Sequence, residues 1–353
     1  MNWKYYCSAA LIVGINGPAM AESLDRNVLP LEMLFENGNS VRFSYKYTDP
    51  DASASPVGGE GSVLDSYSTI GFAYKQELGE RMDIGVFINQ PYGADSSYSG
   101  GFLDGFKIEA ESNEVAVVLK YKFDNNVSIY GGPRIVQTEI NLDLPAAFVP
   151  PVGYSFESGN DIGYGYLIGA AIEFPERAAR IGITYSSKVK HSFDSEEFGT
   201  DAFGKSDTEL PQSVRIDGRI ALNSKTLLFG GWKWSDYSEF DVFAPGFDAI
   251  VGPGSVIDYE EDSIEAFVGL GRNINDEWSV FGIAGWTKKD DRASSLRPYD
   301  GKQTLALGAV YESGQIKITG GVQYEKYGDA DTVFASYKDG DSINPFLQIG
   351  YSF

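Results

Sequence analysis

Residues 343–353 read INPFLQIGYSF and alternate between apolar and polar side chains. The apolar positions are Ile343, Leu347, Ile349, Tyr351 and Phe353, and Asn344, Gln348 and Ser352 stand between them. A period of two residues places each set on its own face of a β-strand. One face is apolar along the whole segment, as lipid requires, and the other is polar, as a lumen allows. The segment therefore predicts a membrane-spanning strand.

The same alternation recurs along the chain in runs of about ten to fourteen residues. In residues 316–324 it predicts that Ile318 and Val322 face lipid, while Thr319 and Gln323 face the lumen. Fourteen strands are predicted in all, at 40–48, 67–77, 81–90, 113–122, 127–140, 159–174, 178–190, 211–222, 226–237, 258–271, 276–287, 302–311, 316–327 and 342–353.

The predicted connections alternate between short turns and long loops. The seven long loops are 49–66, 91–112, 141–158, 191–210, 238–257, 288–301 and 328–341. This alternation is typical of outer-membrane barrels, which have short periplasmic turns and long outer loops. We therefore predict an all-β fold, a 14-stranded antiparallel transmembrane β-barrel with both termini in the periplasm. A soluble, half-buried sheet has the same two-residue period and is the alternative.

The N-terminus is expected to be a targeting signal followed by a short segment of the mature protein. Residues 1–21 carry Lys4, an apolar stretch and a small-residue cleavage pattern, as a signal peptide does. Residues 22–39 are predicted to be a periplasmic or plug segment, and residues 40–353 the barrel. Cys7, the only cysteine, lies in the predicted signal peptide.

Composition excludes several functions. The chain has 28 Lys and Arg against 50 Asp and Glu, a formal charge of −22, which argues against nucleic-acid binding. One cysteine and one histidine leave little material for a zinc site or a nucleophile–base pair, so we expect no cofactor and no enzyme. His191 is expected to be a solvated side chain near a loop.

Most of the negative charge lies in the predicted outer loops, which hold 26 acidic and 7 basic residues. A solvated rim is the simpler interpretation. The alternative is a divalent-cation site that bridges to lipopolysaccharide. No dedicated metal site is predicted, and the densest acidic cluster is Asp194, Glu196, Glu197 and Asp201.

Three local stretches resemble the FadL family of outer-membrane transporters. Residues 88–93 (INQPYG) resemble the end of that family's third strand. Leu210-Pro211 followed by Gly218 resembles the start of its eighth, and residues 232–240 (WKWSDYSEF) the end of its ninth. The resemblance implies import of long-chain fatty acids or other hydrophobic molecules. The chain departs from the family's N-terminal plug, because only residues 22–39 precede the first strand.

The resemblance also implies a lateral exit at a kinked third strand. The matching residues are Phe87, Asn89, Gln90 and Pro91. Proline cannot donate a ladder hydrogen bond, so Pro91 either opens the wall or simply ends the strand.

Capture of a hydrophobic ligand needs an apolar surface outside the barrel. The third loop, with the fifth loop as an extension, supplies the candidates Leu142, Leu144, Phe148, Val149, Val152, Tyr154, Phe243 and Phe247. Exposed apolar patches commonly mark binding sites. The alternative is that the third loop folds into the barrel mouth and packs there.

A carboxylate head group calls for a basic partner in the lumen. The candidates are Arg134 and Lys317, where the family's inner site resembles a basic pair, and then Arg215 and Arg219. Each has the alternative of an ion pair with a lumenal acid such as Glu114 or Asp217.

The sequence thus predicts a monomeric, passive outer-membrane transporter of hydrophobic molecules, most simply fatty acids. Its expected surroundings are outer-membrane lipids and lipopolysaccharide. A general diffusion porin for small polar solutes is the alternative, and the apolar third loop argues against it.

Overall fold

A computed structural model describes residues 24–55, 61–259, 261–289, 298–332 and 335–353. The predicted signal peptide lies outside these residues. Fourteen long antiparallel strands form one closed barrel, as predicted. They are β1 Ser40–Ser55, β2 Tyr67–Glu77, β3 Met82–Asn89, β4 Lys107–Lys122, β5 Val127–Leu144, β6 Asp161–Phe174, β7 Ala179–Ser186, β8 Ser213–Asn223, β9 Thr226–Ser235, β10 Ser263–Asn273, β11 Trp278–Thr287, β12 Lys302–Ser313, β13 Ile316–Tyr327 and β14 Ser336–Ser352.

Closure joins the two ends of the barrel sequence. β1 pairs with β14 from Ser40 opposite Ser352 to Ser55 opposite Ser336. A closed barrel leaves no unpaired sheet edge in lipid, where unmet backbone groups are costly. Among the described residues, no helix has the length and apolar character needed to cross a membrane.

The predicted faces are confirmed where they were stated. Ile318 and Val322 are 37% and 48% exposed on the outer surface, whereas Thr319 and Gln323 are 5% and 2% exposed and face inward. Leu347 and Ile349 are likewise exposed outward. Gln348 is partly buried and lines a lumenal cavity.

The predicted outer loops are wrong at several strand ends, because those strands continue beyond the apolar segments. β4 begins at Lys107 instead of residue 113, and β5 runs to Leu144 instead of residue 140. β1 continues to Ser55, and β14 begins at Ser336. Further short strands lie at Gly93–Ser97, Tyr154–Glu157, Glu196–Glu197 and Ala330–Asp331.

The outer loops form a folded layer of their own. A separate four-stranded sheet contains Val189–Asp194, Lys205–Leu210, Phe240–Phe243 and Ile257–Tyr259. Within this layer, 3-10 helices lie at Gly101–Leu103 and Tyr237–Glu239, and an α-helix that we call α1 lies at Pro245–Ile250. Two other 3-10 helices lie elsewhere, Leu31–Phe35 in the N-terminal segment and Pro175–Arg177 in the short turn between β6 and β7. The layer has a buried apolar core that includes Leu142, Tyr154, Phe193, Val242 and Tyr337.

Residues 24–39 lie inside the barrel. Met33 and Leu34 in the 3-10 turn are fully buried and pack with Phe87 of β3 and Leu167 of β6. The Phe35 ring meets the Tyr130 ring edge-on at 5.6 Å between centroids. The short N-terminal segment therefore fills part of the lumen.

Lumenal charges anchor this segment. Arg42 of β1 binds Glu32 at 2.9 Å and Glu36 at 2.6 Å through separate guanidinium nitrogens. Lys75 donates to the carbonyl oxygens of Glu36 and Gly38 at 3.0 and 2.8 Å. Bonds to charged groups are stronger than neutral ones, so residues 32–38 are firmly held.

Candidate functional site: a lumenal cavity beside a gap in the barrel wall

The ladder between β2 and β3 stops short of the outer end of β2. Its last pair is Phe72 opposite Ile88, and beyond it the Gln90 side chain accepts the Ile70 N–H at 2.8 Å. Pro91 follows and has no N–H to donate. The wall is therefore not paired between residues 67–69 of β2 and the strand that follows Pro91.

Pairing resumes further out. Leu64 forms a β-bridge with Ser96, and the Asp65 N–H donates to the Asp95 carbonyl at 3.1 Å. The unpaired stretch is thus bounded on both sides, and we call it the wall gap. Gln90 and Pro91, two of the predicted lateral-exit residues, lie at its inner corner. Asn89 faces the lumen next to it, and Phe87 packs on the plug segment.

The N-terminal segment occupies the wall gap as an added strand. The Arg26 N–H donates to the Pro91 carbonyl at 2.7 Å, and the Gly93 N–H donates to the Leu24 carbonyl at 2.8 Å. Asp25 and Tyr92 are the antiparallel partners between these two bonds. The backbone of residues 24–26 therefore supplies hydrogen bonds that β2 does not.

The Arg26 side chain completes this closure. It lies over the Tyr67 ring of β2 and forms an ion pair with Asp95 on the other edge. Lys46 Nζ donates to the Arg26 carbonyl at 3.1 Å. Arg26 is not recognisable from the sequence, because no motif marks a contact between residues so far apart in the chain.

A lumenal cavity lies against the inner side of the wall gap, with about 530 Å³ of free space that is partly open to solvent, and we call it the Arg215 cavity. Its lining joins the N-terminal segment, the end of β3 and five further strands. The lining residues include Asp25, Leu29, Asn89, Pro91, Tyr92, Glu114, Arg134, Thr184, Ser213, Arg215 and Lys233.

Two ion pairs line this cavity. Arg134 Nε lies 2.8 Å from Glu114 Oε1, and both side chains are almost fully buried. Lys233 Nζ lies 2.7 Å from Asp25 Oδ2. Arg134 thus takes the ion pair that was the alternative to carboxylate binding. Neither Lys233 nor Asp25 was singled out from the sequence.

Arg215 differs from these cations. It forms no ion pair in the part of the chain that the structure describes. Close by in the same cavity, the side-chain amide nitrogen of Asn89 is buried without a hydrogen-bond partner, and Asn89 is only 2% exposed. The cavity thus offers an unpaired guanidinium and an unused N–H donor, which suit an anionic or hydrogen-bond-accepting group.

The other two basic candidates lie elsewhere in the lumen. Lys317 lines a separate cavity of about 360 Å³ with Arg42 and Gln348, and its Nζ lies 4.0 Å from a carboxylate oxygen of Glu312. Arg219 has a buried Nε without a hydrogen-bond partner and lines neither cavity. Only Arg134 and Arg215 are brought together.

The predicted capture residues are mostly packed. Leu142, Val149 and Tyr154 are buried in the outer-layer core, and Leu144, Phe148 and Phe247 pack against it. Only Val152 and Phe243 are exposed, at 78% and 38%. Leu142 and Leu144 belong to β5, so they are not loop residues. A capture role for these residues stays a prediction.

The acidic cluster is not arranged as a metal site. Glu197 is buried and accepts the N–H groups of Gly246 and Phe247, both at 2.8 Å, and the Tyr154 hydroxyl at 2.8 Å. Asp194 pairs with Lys205 instead. The described residues contain no group of three or more His, Cys, Asp or Glu side chains that would hold a metal ion.

The histidine is buried, contrary to expectation. His191 Nδ1 lies 2.9 Å from Asp161 Oδ2, and Nε2 lies 3.2 Å from Thr138 Oγ1. The order hydroxyl, imidazole, carboxylate resembles a hydrolase triad. However, the His191 side chain is fully inaccessible to solvent, so no substrate reaches it.

The fold and the cavity together define an outer-membrane channel whose lumen is partly filled by its own N-terminal segment. Residues 37–341 match the family described as outer membrane protein transport protein (OMPP1/FadL/TodX), and the chain belongs to this family. Its members are outer-membrane transporters of hydrophobic compounds, not enzymes. A search of curated proteins finds no match.

Solved structures agree in fold. A FadL homologue from Pseudomonas aeruginosa is 14% identical, with a TM-score of 0.74 over 97% of this chain and 94% of that one. The toluene transporter TbuX of Ralstonia pickettii is 14% identical, with a TM-score of 0.67 over 97% and 99%. The Pseudomonas putida toluene transporter TodX is 13% identical, with a TM-score of 0.68 over 96% and 93%.

Proposed function

We propose that this chain imports amphipathic carboxylates, most simply long-chain fatty acids, by passive diffusion. The ligand enters through the outer layer, rests in the Arg215 cavity and leaves sideways through the wall gap. No phosphate-binding loop or other energy-coupling motif is present in the sequence, which supports a passive route.

The proposed substrate class rests on one observation, that Arg215 lines the cavity and forms no ion pair among the described residues. Arg215 is partly buried, and a cation in such a place without a counter-ion is costly. A ligand carboxylate offsets that cost through charge-assisted hydrogen bonds. Asn89 supplies a further donor from the neighbouring wall. A neutral hydrocarbon would leave both groups unmet.

The exit is supported by the position of the same cavity. Pro91 and Tyr92 border both the Arg215 cavity and the wall gap. An apolar tail that leaves between β2 and β3 enters lipid directly and avoids water, which favours lateral release. The strand of residues 24–26 must leave the gap first.

A second candidate ligand is a monoaromatic hydrocarbon. It is favoured by the fold that this chain shares with the toluene transporters TbuX and TodX. The two ligand classes differ in charge, so Arg215 discriminates between them.

A reversible lock tests the exit. Asp25 and Tyr92 form an antiparallel pair flanked by, but not sharing, the two bridge hydrogen bonds. Such pairs have Cα atoms about 4.5 Å apart, which permits a disulfide. In a Cys7→Ser background, the double variant Asp25→Cys/Tyr92→Cys should block fatty acid uptake when oxidised and restore it when reduced.

The oxidised and reduced forms have the same side chains in the cavity, so their difference reports only on release of the strand. The single variant Asp25→Cys should be insensitive to reductant. Equal uptake by the locked and unlocked forms, with disulfide formation verified by mass, would rule out exit through the wall gap.

A further inference from the structure

A second polar patch lies on the lumenal wall, on the far side of residues 25–26 from the Arg215 cavity. It consists of Lys46 of β1, Thr69 of β2 and Asn344 of β14, and we call it the Lys46 patch. Lys46 is the direct register partner of Thr69 and of Phe346. Asn344 lies two residues from Phe346 on the same face, so it is a diagonal neighbour of Lys46.

Thr69 and Asn344 are buried without hydrogen-bond partners for their side chains, and Lys46 is partly buried. Thr69 and Asn344 are 2% and 1% exposed, and the Thr69 hydroxyl and both amide atoms of Asn344 have no hydrogen-bond partner. The Lys46 ammonium donates to the Arg26 carbonyl and forms no ion pair within the described residues. An ammonium has three donors, so two remain unused. Buried polar groups are normally satisfied, and this many unmet atoms in one place indicate a missing partner.

The carboxylate nearest to the patch already has its own partners. Glu325 of β13 receives Lys302 at 2.6 Å, Gln323 at 2.9 Å and Ser342 at 3.2 Å. The Thr48 hydroxyl of β1 and the Thr304 hydroxyl opposite Glu325 are also without a partner. Glu325 is therefore engaged with Lys302 and does not serve as the counter-ion of Lys46.

Charge identifies the class of the missing partner. The charged side chains that act on Lys46 are Glu325, Lys302 and Arg26. Asp95 neutralises Arg26, and Glu325 neutralises Lys302. Lys46 is left as one excess positive charge, which an anion with acceptor oxygens would balance.

A second recess of the lumen lies alongside. It has about 540 Å³ of free space that is partly open to solvent, and it is lined by Arg26, Lys302, Glu325 and the rings of Tyr67, Tyr299 and Tyr327. Asp25 lines both this cavity and the Arg215 cavity, so the N-terminal strand separates the two. Aromatic rings provide an apolar surface for a tail or a ring.

We propose that the Lys46 patch is a second carboxylate-binding site, so that the barrel holds two ligand molecules at once. Lys46, the Thr69 hydroxyl and the Asn344 amide donate to the carboxylate, and its hydrocarbon part lies among the three tyrosines. The proposal rests on the proposed function in that carboxylates must enter the lumen, but it involves different residues.

The test uses dodecanoate labelled with ¹³C at its carboxyl carbon, added to the purified barrel in a nonionic detergent. Two bound carboxyl signals are expected by NMR, with two molecules bound per barrel. Asn344→Asp supplies an anion beside Lys46 from the protein itself, so it should remove one signal and lower the stoichiometry from two to one. This isosteric change adds a partner for Lys46, and so it should not prevent folding.

Arg215→Gln should remove the other signal and leave the first, which keeps the two proposals separable. Lys46→Met should act like Asn344→Asp. If only one molecule binds to the wild-type barrel, and neither Lys46-patch variant lowers this number, the second site is refuted. In that case the unmet groups bind water only. If Arg215→Gln removes no signal while the Lys46-patch variants each remove one, the second site stands and the proposed function is overturned.

Discussion

The guanidinium carbon of Arg26 lies 4.0 Å from the ring centroid of Tyr67, and this contact spans the wall gap. The backbone of Arg26 pairs with Pro91 on one edge, while its side chain reaches β2 on the other. The same three residues, 24–26, therefore close the wall gap, and on the proposed exit route they also control lateral release.

Arg26→Gln should loosen this closure. The cation–π contact contributes about 0.5–2 kcal/mol, depending on desolvation. A loss of one to two kcal/mol raises local opening roughly 5- to 30-fold. Hydrogen exchange at the amides of residue 26 and Gly93 measures this opening. The matched control is Arg272→Gln, which changes an exposed arginine at the end of β10 that is far from the wall gap. Unchanged exchange would mean that backbone bonds alone hold the strand.

Arg215→Gln should weaken a fatty acid selectively. Only the acid offers a charge-assisted hydrogen bond, whose loss costs about 1.5–3 kcal/mol. The matching alkane loses nothing, because burial of each CH₂, about 0.8 kcal/mol, is unchanged. Binding titrations with both ligands give the comparison. An equal loss for acid and alkane would show that Arg215 supports the cavity's shape instead.

Arg134→Gln should behave differently, although Arg134 lines the same cavity. Removing it leaves the Glu114 carboxylate buried and unpaired, a change that typically costs about 3–5 kcal/mol. We expect lower barrel stability, measured by unfolding in denaturant, with acid and alkane affected alike. A fatty-acid-selective loss with unchanged stability would move the head-group site to Arg134.

The sequence predicted the strands well only where they cross lipid. Along β4 the outward residues Lys107, Glu109 and Glu111 are charged, while the inward Ile108 and Ala110 are buried. The two-residue period therefore continues into water, but its apolar face reverses from outside to inside. A rule that seeks an apolar outer face ends the strand too early, as happened at residue 113.

The candidate site was predicted only in part, because pairing depends on register. Arg134 and Glu114 lie on adjacent strands, and their contact requires Ala116 opposite Arg134. No local pattern separates this paired arginine from the unpaired Arg215. Arg26 contacts Tyr67 and Asp95, which lie 41 and 69 positions further along the chain. Contacts over such separations leave no periodic signal in the sequence.

Two neighbouring valines separate capture from packing. Val152 is 78% exposed, so Val152→Asp should fold normally and weaken uptake at low ligand concentration if this surface captures ligand. Val149 is 6% exposed in the outer-layer core, so Val149→Asp should destabilise the layer by burying an unpaired charge. Uptake assays and protease resistance of the outer layer distinguish the two effects. Normal uptake by Val152→Asp would place capture elsewhere.

The buried histidine should make the outer sheet sensitive to acid. Burial lowers the pKa of His191 below its usual 6.5, and the bonded Asp161 opposes this only in part. The unfolded sheet therefore binds a proton more readily than the folded one. Stability is complete above pH 6.5 and falls as pH drops through the folded pKa, by at most about 1.36 kcal/mol per unit. Hydrogen exchange of residues 189–194 should accelerate between pH 7.5 and 5.5, after correction for intrinsic rates. His191→Gln, which cannot titrate, should remove most of this change, and an equal acceleration in the variant would assign it to other groups.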